Sequence, residues 1–145
     1  MSGETETPLI VHASAVCIET GGLLIRGASG TGKSTLALQM IGLGAQLVAD
    51  DRVSILLEPN GALRMSSPEP LAGLIEARGM GLLQTHHRSA IIKAVVDLDR
   101  VEEDRLPERH STTLCGIKVP CFGKVESPAF AAMLLVYMKG GRAAP

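Results

Sequence analysis

At 145 residues, 46% of them hydrophobic, the chain suits one globular domain with its own core and leaves no room for a separate substrate domain. A net charge of −1 and an aromatic set limited to Phe122, Phe130 and Tyr137 argue against nucleic acid, since neither a basic stripe for phosphates nor a stacking platform for bases is available. Cys17, Cys115 and Cys121 are an odd set without C-x-x-C spacing, which excludes a paired framework or zinc site and reads as free thiols in a reducing cytosol.

Met1-Ser2-Gly3-Glu4-Thr5-Glu6-Thr7 is polar and acidic, the reverse of a basic leader running into an apolar core. Export is therefore not predicted, and residues 1–8 are expected to form a disordered tail. Leu9 to Glu19 carries Ile10, Val11, Val16 and Ile18 at strand density. Thr20-Gly21-Gly22 is a turn signal, so Leu23–Arg26 is expected to pair back antiparallel, with His12 on the neighbouring strand. By residue type alone His12 is equally a strand histidine with a satisfied hydrogen bond.

Gly27-Ala28-Ser29-Gly30-Thr31-Gly32-Lys33-Ser34 then satisfies G-x-x-x-x-G-K-[ST] between the apolar run Leu23-Leu24-Ile25 and a helix-forming stretch. Its glycines let successive N–H groups turn inward, and the helix that opens behind adds its positive dipole end. The pattern predicts a phosphate cradle, with Lys33 reaching the outer phosphates and the Ser34 hydroxyl ligating Mg2+. Lys33 to Leu43 places Leu36, Met40 and Leu43 on one stripe, closed by Gly42 and Gly44.

Gln46-Leu47-Val48-Ala49-Asp50-Asp51 is a short apolar strand ending in two carboxylates, the form that partners a phosphate loop. Adjacent strand residues face opposite ways, so one carboxylate is expected to turn to the metal and the other to an incoming nucleophile. Val53–Glu58 and Ala62–Ser66 flank Pro59-Asn60-Gly61 and predict a second hairpin. After the break at Pro68-Glu69-Pro70, the stretch from Gly73 to Leu82 sets Glu76 and Arg78 two apart, hence on one face of an extended segment, facing Mg2+ and a phosphate respectively. Pairing with other side chains at the core rim is the plainer alternative.

His86-His87-Arg88 lacks a third ligand at useful spacing and reads as a surface bend. Ile91 to Leu98 is expected to be a core strand, Asp99 to His110 a solvated charged segment, and two short strands are expected around Cys115 to Pro120. Ser127 as cap, Pro128 at the first helical position, the stripe of Phe130, Met133, Leu134 and Tyr137, and the stop Lys139-Gly140-Gly141 mark a last helix. It is apolar nearly all round, so the domain or another subunit must cover it on more than one side. No apolar run reaches the ~20 residues that span a bilayer, and a soluble protein without a membrane partner is expected.

Taken together, His12, the phosphate loop, Ala49-Asp50-Asp51-Arg52-Val53, Glu76-Ala77-Arg78-Gly79-Met80-Gly81 and Asp104-Arg105-Leu106 resemble the catalytic domain of the HPr kinase/phosphorylases, from about residue 8 to about 121. The most specific piece looks like that family's E-x-R-G-x-G signature. The resemblance implies an α/β fold, a P-loop kinase domain with mixed, largely antiparallel sheets similar to the nucleotide domain of phosphoenolpyruvate carboxykinases, here over residues 9–140 with a tail at 141–145. It implies ATP-dependent phosphorylation of a seryl hydroxyl on the phosphocarrier protein HPr, with phosphorolysis of the phosphoserine as the reverse direction.

By the same resemblance Asp50 is the general base, with His12 beside it, and Arg105 belongs to the active-site region. Ser34, Asp51 and Glu76 fall where Mg2+ is held, while Gly27, Ala28, Ser29, Gly30, Thr31, Gly32, Lys33, Ser34, Thr35 and Arg78 would bind ATP. A cytoplasmic homo-oligomer, a hexamer in the family, is implied as well. Three departures stand out. The family's usual amino-terminal domain has no counterpart in the sequence, which looks like the short form. Thr35 stands where Glu commonly follows the loop serine, and Cys121-Phe122-Gly123-Lys124-Val125-Glu126 replaces a Pro- and Arg-rich docking loop. Two other functions stay open at this level: a regulatory ATP-binding module that transfers nothing, and a small-molecule kinase.

Overall fold

Apolar and β-branched residues at strand density build the first strand, β1 (Leu9–Ile18), in a computed structural model that describes residues 7–68 and 70–143. The expected tail at 1–8 therefore lies outside the described residues up to position 6, as do Glu69 of the proline break and positions 144–145 of the carboxy-terminal tail. β1 pairs antiparallel with β2 (Gly21–Arg26), from Ala13 opposite Arg26 to Ile18 opposite Gly21. Its later half also takes β3 (Gln46–Ala49) on the other side, and its first residues pair with β4 (Arg52–Leu57). Between β2 and β3 runs α1 (Lys33–Gly42).

β4 and β5 (Leu63–Ser66) form the expected hairpin, in which Asn60 Oδ1 accepts the Ala62 N–H at 3.0 Å. β8 (Ala90–Val101) begins antiparallel to β5 and continues parallel to β2, so β2, β1, β4, β5 and β8 close into a ring. Closure leaves these strands without the unpaired edges that invite wrong pairing. β10 (Ile117–Lys124) adds parallel to β8, and β9 (His110–Leu114) adds antiparallel to β10, giving an eight-stranded mixed sheet.

The stretch expected to be extended from Gly73 to Leu82 is instead a small separate hairpin, β6 (Leu74–Ala77) and β7 (Gly81–Gln84). Its turn closes with the Met80 N–H on Ala77 O at 2.9 Å, so Arg78 leaves the strand face that Glu76 occupies. β8 likewise absorbs Asp99, Arg100 and Val101 from the segment expected to be a solvated loop, and β10 continues past Pro120 to Lys124. The β9–β10 turn is Cys115-Gly116, with φ of 49° and 81°. Two positive φ values in a two-residue turn match the twist of the strands, but cysteine gives no turn signal in a sequence. His86, His87 and Arg88 are exposed, as the bend predicts, with the Arg88 N–H on Leu47 O at 3.0 Å.

Two apolar clusters flank the sheet. Leu23, Ile25, Ala94, Val96 and Leu98 face α1 and α2 (Phe130–Gly140), while Ala13, Leu24, Val53, Ile55, Met65, Ile92 and Val95 pack on the opposite face, among strands only. On β8 the parity changes at Lys93, because Gly22 pairs with Ile92 and Leu23 already with Ala94. Lys93 is a bulge residue, and it throws the rest of the strand onto the other alternation. The helix side thereby gains Ala94, Val96 and Leu98. α2 begins after a turn in which Ser127 Oγ accepts the Ala129 N–H at 3.1 Å, two residues later than Ser127 and Pro128 predict. Phe130, Ala131, Leu134, Leu135 and Met138 are buried, whereas Met133 and Val136 remain 46% and 69% exposed, so the domain covers part of this apolar helix.

The far end of α2 is pinned by the bulge. Lys93 Nζ and Thr20 Oγ1 each donate to Met138 O at 2.8 Å, satisfying a carbonyl that the last helical turn leaves free and placing a cation at the negative dipole end. Lys93→Met is expected to lower stability by about 1 kcal/mol in urea unfolding. Adding Thr20→Val should cost more than the sum of the two, since the first substitution leaves Thr20 as the carbonyl's remaining partner. Additive effects would show that the carbonyl is solvated instead.

Candidate functional site

The glycine loop follows directly from β2, which is held by β1 on one side and β8 on the other, so its entrance is rigid. Gly27 has φ of 156°, and a Cβ there would stand 2.7 Å from Thr31 Oγ1 and 3.1 Å from Leu98 Cβ. Only glycine fits that position. Thr31 Oγ1 donates to Ala28 O at 2.7 Å and the Ala28 N–H donates to Asp99 Oδ1 at 2.9 Å, which ties the loop to itself and to β8. Gly32, with φ 98° and ψ 25°, is the residue that precedes α1, and no side chain caps the helix. The first-turn N–H groups and the dipole end are thus free to face an anion. Lys33 Nζ lies back across the loop, donating to Gly27 O at 2.8 Å and Ala28 O at 3.1 Å.

β3 carries Asp50 into this loop. The carboxylate is only 7% exposed, and its three hydrogen bonds come from three separate elements. Oδ1 accepts Ser34 Oγ and Ser14 Oγ, each at 2.7 Å, and Oδ2 accepts the Glu76 N–H at 3.1 Å. A carboxylate offers about four lone-pair positions, so one remains, on Oδ2. Immediately afterwards the chain reverses: the Arg52 N–H bonds Asp50 O at 2.8 Å, and Asp51 adopts φ of 71°. Aspartate tolerates this left-handed conformation better than most residues. The turn sends the two carboxylates to different places, Asp50 into the protein against Ser34 and Asp51 to the exposed surface.

Here the geometry differs from the sequence expectation, in which Asp51 joins Ser34 on the metal side and Asp50 faces the nucleophile. Strand alternation alone leaves open which of the two points inward, and the backbone turn decides it. The other expected residues divide into two groups. His12 is exposed and pairs with Arg52 across β1 and β4, next to the Asp51 turn. Glu76 reaches Asp50 through its backbone while its side chain is exposed, Thr35 is exposed on the first turn of α1, and Arg78 is exposed on the hairpin turn. Arg105 lies apart from these contacts. It lines a cavity of about 760 Å³ with Phe122, Phe130, Leu134 and Tyr137 under α2, and none of residues 27–34 lines that cavity. Among the described residues, no three His, Cys, Asp or Glu side chains converge as a cation cage.

Two contacts escaped sequence reasoning. Ser14, fully buried, showed as a polar residue inside an apolar strand, and Asp99 showed only as one of many charges. Elsewhere, burial raises the Cys17 thiol above its ordinary pKa against the opposing charge of Arg88, and burial does the same at Cys121. All three cysteines are free. The Arg100 guanidinium, hydrogen-bonded to Glu102 at 2.9 Å, holds that carboxyl below its usual range.

Residues 5–122 match the family model described as HPr Serine kinase C-terminal domain. Among curated proteins, an HPr kinase/phosphorylase of Geobacillus sp. (strain WCH70) is 37% identical over 110 residues, covering 68% of this chain and 34% of the relative. One from Streptococcus thermophilus (strain ATCC BAA-491 / LMD-9) is 34% identical over 123 residues, covering 76% and 40%. The chain thus spans between a third and two fifths of the length of these relatives. The solved structure of the Hpr(Ser) kinase/phosphatase from Coxiella burnetii shares the fold, with a TM-score of 0.77 at 24% identity over 90% of this chain and 94% of that one.

Proposed function

The chain belongs to the HPr Serine kinase C-terminal domain family, and on that premise we propose that it is an ATP-dependent protein serine kinase acting on a seryl residue of the phosphocarrier protein HPr, with phosphorolysis of the phosphoserine as the reverse direction. The observation that carries this reading is the 2.7 Å bond from Ser34 to Asp50 beside an uncapped helix start, with Asp51 turned outward on the next residue. In this proposal residues 9–140 are a P-loop kinase domain related to the nucleotide domain of phosphoenolpyruvate carboxykinases, working in the cytoplasm as a homo-oligomer. The exposed Met133 and Val136 on α2 support an oligomer. None of the described helices is long and apolar enough to cross a membrane.

The residues present fit a magnesium ion: a hydroxyl and a buried carboxylate with one free lone pair are hard oxygen donors, Glu76 is tied to that carboxylate through its backbone N–H and carries a further carboxylate, and Mg2+ at phosphate sites takes one or two carboxylates and leaves the rest to phosphates and water. Ser34, Asp50 and Glu76 would hold it. When bound, the ion neutralises charge on the phosphates. The loop N–H groups and the α1 dipole bind the phosphates, and Lys33 exchanges the carbonyls of Gly27 and Ala28 for phosphate oxygens. Asp51, exposed where a protein substrate can approach, takes the proton from the seryl hydroxyl. The seryl oxygen bonds to the γ-phosphorus as the bond to the β–γ bridging oxygen breaks, and ADP leaves with that electron pair. In the reverse direction phosphate attacks the phosphoserine phosphorus, pyrophosphate forms, and Asp51 returns the proton to serine. His12 stands on β1 next to the Asp51 turn, within the same exposed face, while Arg78 faces phosphate charge. Relative to the resemblance, the geometry favours exchanging the roles of Asp50 and Asp51.

The test is incubation with γ-labelled ATP, Mg2+ and HPr from the same organism. Label on an HPr serine, released as pyrophosphate on adding phosphate, is expected. ATP binding without transfer would overturn the kinase reading in favour of a regulatory module.

A further inference from the structure

Resting on that kinase reading, we propose that Ser14 is a positioning residue, which fixes the Asp50 carboxylate so that a cation at Ser34 meets a preset oxygen. Ser14 sits in the middle of β1, opposite Ile25 of β2, and is 0% exposed. A hydroxyl buried among apolar neighbours costs free energy unless it is bonded, and this one donates to Asp50 Oδ1 at 2.7 Å across 36 residues of sequence. Among the described residues that is its one side-chain hydrogen bond.

Ser34 donates to the same oxygen, but under different conditions. It stands at the loop mouth, where a cation draws on its lone pairs and sets how its hydroxyl points. Ser14 is shut away from the loop, so its bond persists whether or not the site is filled. With Oδ1 held by Ser14 and Oδ2 by the Glu76 N–H, the carboxylate plane is set, and the last free lone pair of Oδ2 keeps one direction. Partners that orient a metal-binding carboxylate in this way commonly contribute about 10–100-fold in metal affinity.

Ser14→Val and Ser14→Thr have the same shape and differ by the hydroxyl, so comparing them separates the hydrogen bond from packing. Calorimetric titration of MgCl2 into each variant saturated with ADP should give wild-type-like affinity for Ser14→Thr and about 10-fold weaker Mg2+ for Ser14→Val. ADP binding in EDTA should be unchanged in both. Ser14→Ala, which adds no bulk, should show the same loss and serves if the larger side chains prevent folding. Equal Mg2+ affinity for Val and Thr, or for Ala and wild type, overturns the proposal alone. A wild-type protein whose ADP binding ignores Mg2+ overturns the kinase reading, and this proposal with it.

Discussion

Asp51→Asn is expected to slow phosphoryl transfer to HPr by about 10²–10⁴-fold, the usual contribution of a general base, while Mg-ATP binds as tightly as to wild type. Asp51 is exposed, makes no side-chain hydrogen bond among the described residues, and holds its left-handed φ through backbone geometry, which asparagine also tolerates. Losing its charge therefore removes a proton acceptor and little else. Asp50→Asn should behave differently. The buried carboxylate accepts from Ser14, Ser34 and the Glu76 N–H, and an amide must present its NH2 to at least one of these donors. Leaving a buried donor unpaired costs roughly 1–3 kcal/mol, so this variant should lose stability and Mg2+ affinity together. Transfer assays, calorimetry and urea unfolding of the pair decide the matter. Should Asp50→Asn lose transfer alone, with Asp51→Asn fully active, the base is Asp50 as the family resemblance implies.

Gly27→Ala should cost more at the loop than any other glycine change there. Its φ of 156° belongs to a region that side chains rarely enter, and the new methyl would press on Thr31 Oγ1 at 2.7 Å and Leu98 Cβ at 3.1 Å. Thr31 cannot swing aside freely, because that oxygen already donates to Ala28 O. Backbone strain and overpacking together come to roughly 2–4 kcal/mol. If the deformation falls on the loop, ATP affinity drops about 30- to 1,000-fold. Gly30→Ala is the matched comparison: φ is 84°, but nothing lies within 4 Å of the added carbon, so strain acts without a clash and the loss should be smaller. Calorimetric titration with Mg-ATP measures both. Unchanged affinity in Gly27→Ala would mean that the loop does not hold the nucleotide in this conformation.

Much of this architecture is legible where its cause is local. The glycine loop declares itself because eight contiguous residues supply the turn geometry, the lysine and the hydroxyl together. The first hairpin and α1 follow from short-range alternation and spacing, and their limits differ from the prediction by a residue or two. The separate hairpin at residues 74–84 was harder to see. Its strands are four residues each, and glycines at 79 and 81 read equally as turn or as flexible extended chain. The bulge at Lys93 left no mark either, because Ala94, Val95 and Val96 are all apolar and period-two alternation is lost among them.

Residue types along the chain were enough to point to a glycine-rich turn between a strand and a helix, two adjacent acids after the next short strand and a domain with an apolar interior, since each depends on neighbours in sequence. Which acid meets Ser34 was decided by the fold, through the left-handed turn at Asp51 and the register that lays β3 against β1. Ser14 and Asp99 entered the site only because strand pairing brings them across 36 and 71 positions to Asp50 and Ala28. A hydrogen bond requires atoms within about 3 Å, and over such separations a one-dimensional pattern carries no distance, so those contacts exist only once the ring of strands has closed.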